Sequence, residues 1–208
     1  AGRSEVAETL FGVRQKDSGE IIFDKQRVSF SSPKQAIEKG MALVPEDRKS
    51  QGLILGMGGR HNMTLPHLSL YSKMGVPSVD KELQVFEDYK TKLEIKTTGP
   101  EQLLSDLSGG NQQKLVLAKW LCANPKLIIL DEPTRGVDVG SKSAIHQYIA
   151  TLAEQGLAVI VISSEMPEVI GVSHRILTMA EGRLVGEYTG KEMTEENLIA
   201  AVSGLTAA

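Results

Sequence analysis

Several things that would place a chain quickly are missing from this one. A single cysteine, Cys122, stands among 208 residues, so no internal disulfide forms and the usage fits a reducing compartment. No apolar run approaches the ~20 residues that cross a bilayer. The longest, from Leu157 to Ile162, has the size of one buried strand. The opening residues Ala1-Gly2-Arg3-Ser4-Glu5 lack the basic start and apolar stretch of a signal peptide. The chain therefore reads as soluble, with any membrane crossing left to other subunits. Nor is there an excess of positive charge. With 26 acidic against 23 basic residues and a net charge of -3, broad charge-driven binding of nucleic acid is disfavoured.

What is present points to one globular domain. A chain of this length with 41% hydrophobic residues is neither disordered nor fibrous, and it holds one compact domain or one with a small lobe. Helical spacing predicts a short helix from Ser4 to Phe11, stopped by Gly12. A hairpin follows, with Ile21-Ile22-Phe23, a turn Asp24-Lys25-Gln26, and Val28 to Phe30. Ser32-Pro33 opens a second helix ending at Gly40, and Met41 to Val44 reads as a strand. From about Gly52 to Ser105 the texture changes to clustered glycines and polar helical stretches such as Asp80 to Leu93. This is expected to be an inserted, mostly helical lobe (about 52–105) on an α/β core made of 1–51 and 106–208.

After the lobe, strands alternate with helices. The elements are a helix Asn111 to Cys122, a strand Lys126 to Leu130, a helix Ser141 to Gln155 and a strand Leu157 to Ile162. A hairpin around Glu181-Gly182-Arg183 and a last helix, Glu195 to Val202, complete the chain. Ile145, Tyr148, Ile149 and Leu152 form one apolar stripe. Strands that are apolar throughout predict a sheet covered on both faces.

Two segments carry chemistry. In Leu107-Ser108-Gly109-Gly110-Asn111, directly before a helix, two glycines let backbone N–H groups converge, and the helix N-terminus adds partial positive charge. Such a loop suits an anion, most simply a phosphate; an ordinary capped loop is the alternative. In Leu127-Ile-Ile-Leu130-Asp131-Glu132, an apolar strand delivers two carboxylates to its C-terminal end, where open α/β sheets bind ligands. Asp131 suits Mg²⁺, and Glu132 suits orienting or deprotonating an attacking water. The alternative here is a strand end followed by a polar turn. The four histidines, His61, His67, His146 and His174, have no ligand-like spacing and read as surface or packing residues.

Together these segments resemble the ATP-binding-cassette family. Leu107 to Lys114 is similar to its signature motif, Leu127 to Glu132 to its Walker B strand, and Arg135-Gly136-Val137-Asp138 to its D-loop. The resemblance runs from Ala1 to about Gly204. Val44-Pro-Glu-Asp-Arg-Lys49, Asp131 to Asp138 and Ser163-Ser-Glu-Met-Pro-Glu168 narrow it to the second, C-terminal cassette of the tandem ATPases of bacterial monosaccharide importers. It implies an ABC-type P-loop NTPase fold with a mixed or parallel sheet core, an N-terminal antiparallel hairpin and the helical lobe.

The resemblance also implies departures. Ala1-Gly2-Arg3-Ser4 matches only the last four positions of a phosphate loop, so the sequence reads as truncated at its N-terminus, and Arg3 stands in place of the usual Lys. Glu46 stands at the Q-loop position in place of Gln, and Ser164 at the switch-histidine position. A serine supplies no cation to a γ-phosphate. The implied catalytic positions are Glu132, Ser164 and Glu46, and the implied metal ligands Ser4, Asp131 and Glu46. The implied nucleotide contacts are Gly2, Arg3, Ser4, Asp131, Leu107, Ser108, Gly109, Gly110, Asn111 and Asp138.

ATP and Mg²⁺ are the implied ligands. The implied partners are a first cassette, membrane permease subunits and, indirectly, an extracellular or periplasmic sugar-binding protein, with no nucleic acid. The location is then the cytoplasmic face of the membrane. On this reading the chain offers an intact signature loop to ATP held by the other cassette, while its own nucleotide site is degenerate. The stretch from Met57 to Leu70, with Arg60, Asn62, Met63 and Leu65, is a candidate dock for a permease loop, or else the core of the lobe. A soluble cassette acting on nucleic acid or the ribosome, and a non-hydrolysing regulatory cassette, are the competing functions.

Overall fold

A computed structural model describes residues 2–204. Ala1, the first of the four positions compared with a phosphate loop, lies outside the described residues. The centre is a three-stranded parallel sheet of β3 (Met41–Val44), β6 (Leu127–Asp131) and β7 (Ala158–Ile162), with β6 in the middle. The register pairs Val44 with Leu130 and Asp131 with Ile162, so the carboxyl ends of β6 and β7 finish side by side. Every residue of β3 and β6 is buried, which is why both read as continuous apolar runs. β7 differs: an edge strand like β3, it nonetheless leaves Ala158 and Ile160 exposed on one side. Coverage of both faces therefore holds for the two buried strands and not for the third.

Helix α1 (Arg3–Leu10) lays Ala7 on the core. Phe11, just beyond it, stands edge-on to Trp120 at 5.6 Å between ring centroids, the geometry that the ring quadrupoles favour. Hairpin β1 (Ile21–Phe23) and β2 (Gln26–Val28) closes through two residues, Asp24 and Lys25, both at positive φ. The three-residue turn anticipated from the sequence is thus one residue too long, and the second strand ends at Val28. A two-residue turn whose twist matches the strands needs φ > 0 at both positions, and no glycine announces it here.

Helix α2 (Pro33–Glu38) leads into β3. The segment that follows contains α3 (Gly59–Thr64), a small hairpin β4 (Ser72–Lys73) and β5 (Val76–Pro77), and α4 (Val79–Lys92). Its side chains Met63 and Phe86, both 0% exposed, join the same hydrophobic cluster as Ile128 and Leu115. Helix α5 (Gly109–Leu121) runs through the middle of that cluster, buried nearly all round. Its one buried cation, Lys119, donates to the Gly52 carbonyl at 2.8 Å, and burial lowers its pKa; an unpaired ammonium there would be costly. The stripe of α6 (Val139–Glu154) buries Ile145, Ile149 and Leu152. Then come α7 (Met166–Val172), the hairpin β8 (Arg175–Ala180) and β9 (Arg183–Thr189), and α8 (Glu195–Ser203). The short α3, α7 and the β4–β5 hairpin lack a period long enough to read in sequence.

Candidate functional site

The sheet register builds the site. The Glu132 amide donates to the Ile162 carbonyl at 2.8 Å, so the β6–β7 ladder continues one residue past Asp131. That brings Glu132 beside the residues that leave β7. Ser164 Oγ donates to Glu132 Oε2 at 3.2 Å. Glu132 also sits at φ 48°, the left-handed region that a non-glycine residue enters at a cost of about 1–3 kcal/mol. Strain of this kind is held where the surroundings over-determine it, and here they place a carboxylate at the end of the central strand.

Arg3 closes the same corner from α1. Its Nη1 donates to the Ser163 carbonyl at 2.6 Å, and its Nη2 lies 3.7 Å from Glu132 Oε1. Arg3, Glu132, Ser163 and Ser164 thus form one contact group. The guanidinium is engaged by the chain's own backbone and carboxylate. A lysine could not span both, because it carries one point charge in place of a planar fork.

Asp131 is buried, and its Oδ1 has no hydrogen-bond partner among the described residues. Burial pushes its pKa up, against the Ser4 hydroxyl and the Arg3 charge, which pull it down. A buried, unpartnered carboxylate oxygen beside a hydroxyl suits a hard divalent cation, so Ser4 and Asp131 fit Mg²⁺. Glu46 does not join them. Its carboxylate pairs with the Arg135 guanidinium, a cation three positions after Glu132.

The signature-like corner is half open. Ser108 is exposed and caps α5, its Oγ accepting from Asn111 Nδ2 at 3.0 Å and from the Asn111 amide at 3.4 Å. The amides of Gly109 and Gly110, in the first turn, find no acceptor among the described residues, as expected of the first N–H groups of a helix. Gly110 is nonetheless buried: a Cβ there would come within 2.8 Å of Ser141 Cβ. Leu107 buries its side chain in the core, where it anchors the loop. Asn111 is committed to Ser108 and, through Oδ1, to the Lys96 amide at 2.9 Å. Asp138 caps α6, accepting from the Ser141 amide at 2.9 Å and the Ser141 hydroxyl at 2.7 Å. The Ser141 amide and hydroxyl hold its pKa below the usual carboxylate range.

Residues that sequence reasoning gave no role join these groups. Glu168, 5% exposed, accepts from Thr134 Oγ1 at 2.7 Å, from His146 Nε2 at 2.5 Å and from Ser163 Oγ. Burial pushes its carboxyl up, but the bonds from Ser163, His146 and Thr134 outweigh that and hold it low. The network ties the loop after β6 to the loop after β7. The only sequence signal was polar residues crowding two strand ends. His146 is therefore more than a surface or packing residue. In the anticipated dock, Arg60 pairs with buried Glu82 at 2.8 Å, and Asn62 binds both the amide and the carbonyl of Ile54. With Met63 fully buried, these side chains build the interior of their segment, while Leu65 and Leu70 are exposed.

The family model described as ABC transporter matches residues 1–135. The ribose import ATP-binding protein RbsA of Halalkalibacterium halodurans is 48% identical over 204 residues, which is 98% of this chain and 41% of that protein. The protein of the same name from Shouchella clausii is 47% identical over 204 residues, again 98% and 41%. The chain thus spans about two fifths of the length of the curated relatives it matches. A nucleotide-free ATP-binding cassette from an ABC transporter superposes with a TM-score of 0.82 at 20% identity, covering 100% of this chain and 84% of that one. A dimeric cassette bound to ADP and phosphate superposes at 0.77 and 21% identity, covering 90% and 80%. At those identities the likeness is one of fold.

Proposed function

The chain belongs to the ABC transporter family and has the α/β cassette fold, and on that premise we propose that it is one cassette of a monosaccharide importer's ATPase. Its part is to present Ser108 and the first-turn amides of α5 to the terminal phosphate of an ATP held chiefly by a second cassette. Preorganised donors of this kind, fixed by the helix and its cap, stabilise charge that develops on the phosphoryl oxygens.

The observation that carries the reading is an asymmetry between two sites of the chain. The Ser108 corner is exposed with unengaged amides. At the chain's own site the Arg3 guanidinium is tied to the Ser163 carbonyl and lies against Glu132. Before Arg3 engages a phosphate it gives up a 2.6 Å hydrogen bond, and Ser164 offers no cation to replace it. The site therefore binds or turns over nucleotide slowly. Ser4 and Asp131 would hold Mg²⁺ there, and the cation supplies neutralising charge between phosphates. Glu132, held by Ser164, keeps a carboxylate aimed past the strand end.

Partners follow from the same reading: a second cassette, permease subunits in the membrane and, through them, a sugar-binding protein. On this reading the cassette works at the cytoplasmic face of the membrane; no helix among the described residues is long and apolar enough to cross it. The decisive experiment measures ATP hydrolysis by the two-cassette protein carrying Ser108→Arg or Glu132→Gln. Ser108→Arg lowers turnover by about 10²–10³-fold, whereas Glu132→Gln changes it by a few-fold. The reverse order overturns the asymmetry.

A further inference from the structure

The sequence singles out Glu46-Asp47-Arg48, and the function above leaves Arg48 unused. We propose that Arg48 is a positioning residue that locks the turn after β6 to the Ser108–Gly110 corner, so that the two move as one unit. The inference deepens the signature-donor reading and rests on it for its kinetic consequence.

Arg48 begins a wide turn, Arg48–Gly52, whose backbone is tied down on both sides. At its start Asp47 accepts from the amides of Lys49 at 3.0 Å and Ser50 at 3.2 Å, and from the Ser50 hydroxyl at 2.7 Å. At its end the Gly52 carbonyl accepts from buried Lys119 of α5, and a Cβ on Gly52 would stand 3.2 Å from Val116 of the same helix. The turn is therefore seated on α5, the helix whose first turn carries the corner. Turns of this i→i+5 kind recur at functional positions because they redirect a side chain that a regular helix would not.

From that seat the guanidinium reaches across to the next loop. Nη1 donates to the Arg135 carbonyl at 2.7 Å and Nη2 to the Gly136 carbonyl at 3.2 Å. Two N–H groups of one planar fork thus satisfy two consecutive carbonyls, a match that an ammonium does not reproduce. Arg135 is held a second time through its side chain, by Glu46. Nε of Arg48 is buried without a partner among the described residues, while the two bonds of its fork lie at the exposed end of the side chain.

The corner lies on the other side of the same fork. A Cβ on Gly109 would meet Arg48 Nη2 at 2.8 Å and the Gly136 carbonyl at 3.1 Å. A side chain at Gly109 would thus displace the Arg48 fork and crowd the Gly136 carbonyl, independently of any phosphate. Beside it, Gly110 is closed against Ser141, whose amide and hydroxyl are held by Asp138. The turn 135–138 is therefore pressed on the corner at two points, with Arg48 at one of them. A loop that must place Ser108 to within a fraction of an ångström is in this way referenced to the end of the Glu132 strand.

The test uses Arg48→Gln and Arg48→Lys in the two-cassette protein, with ATP turnover and amide hydrogen exchange read on the same samples. With positioning lost, kcat falls by about 10- to 100-fold while KM stays within about threefold. Exchange at 111–112, whose amides bond the Ser108 hydroxyl and carbonyl, and at 135–138 accelerates together, by about tenfold or more, and the rest of α5 and the sheet keep their protection. Arg48→Lys recovers only part of the loss. Exchange that rises at 135–138 alone, a KM that rises at constant kcat, or loss of protection throughout α5 each overturns the proposal. If turnover of the parent protein proves insensitive to Ser108→Arg, the signature-donor reading fails, and the paired exchange response still decides the role of Arg48.

Discussion

His67 should make the fold sensitive to mild acid. The ring is 7% exposed and stands edge-on to Trp120 at 5.8 Å, and its Nε2 has no partner among the described residues. Burial, with the nearby Lys119 charge, lowers its pKa from 6.5 to about 4. The folded state therefore holds a neutral ring over a range where the unfolded chain takes up a proton. Stability from this source is complete above about pH 6.5 and is lost progressively as pH falls towards 4. At about 1.4 kcal/mol per pH unit, the full loss is roughly 3 kcal/mol.

Urea unfolding at about pH 7.5, 5.5 and 4.5 measures it, with His67→Phe as the control. Phenylalanine keeps an edge contact with Trp120 and carries no titrating nitrogen. Carboxylates elsewhere, Glu168 and Asp131 included, titrate equally in both proteins and cancel in the difference. The parent should lose about 2.5 kcal/mol more than the variant across that range, most of the full effect. Equal losses would refute the assignment of the buried neutral ring.

Three further outcomes are expected. Gly110→Ala drives a Cβ to within 2.8 Å of Ser141 Cβ and costs about 1–3 kcal/mol, read as a lower thermal midpoint; Ser141→Gly in the same protein restores most of it. Glu168→Ala strips a partner from Thr134, Ser163 and His146 and costs about 3 kcal/mol in chemical denaturation, with Glu168→Gln losing clearly less. Asp131→Asn melts higher than the parent at pH 7, because burial raises the Asp131 pKa and the fold opposes its ionised form. That advantage shrinks as pH falls below the ordinary aspartate value, where both states are protonated.

The long elements of the core were legible because each is a local pattern repeated over enough residues. β3 and β6 read as apolar runs, and α6 announced itself by Ile145, Ile149 and Leu152 before a stopping glycine. The helices begin at Gly109 and Val139, two residues before the starts the apolar stripe suggests. There the cap, Ser108 or Asp138, decides the boundary and the apolar stripe does not. The signature loop and the two carboxylates could be found because their chemistry lies in contiguous residues.

What the amino-acid order determined unaided was this chemistry and its strand–helix framework, since both depend on neighbours within a few positions along the chain. The pairings of the site depended on the fold. Arg3 meets Ser163 across 160 positions, and Arg48 meets Arg135 and Gly136 across 87 and 88. Glu46 pairs with Arg135 and not at the expected cation site, and Glu168 on α7 gathers the loop after β6, helix α6 and the loop after β7. Such contacts exist only once parallel strands bring their ends side by side, because a charged side chain takes whichever partner the backbone delivers within reach.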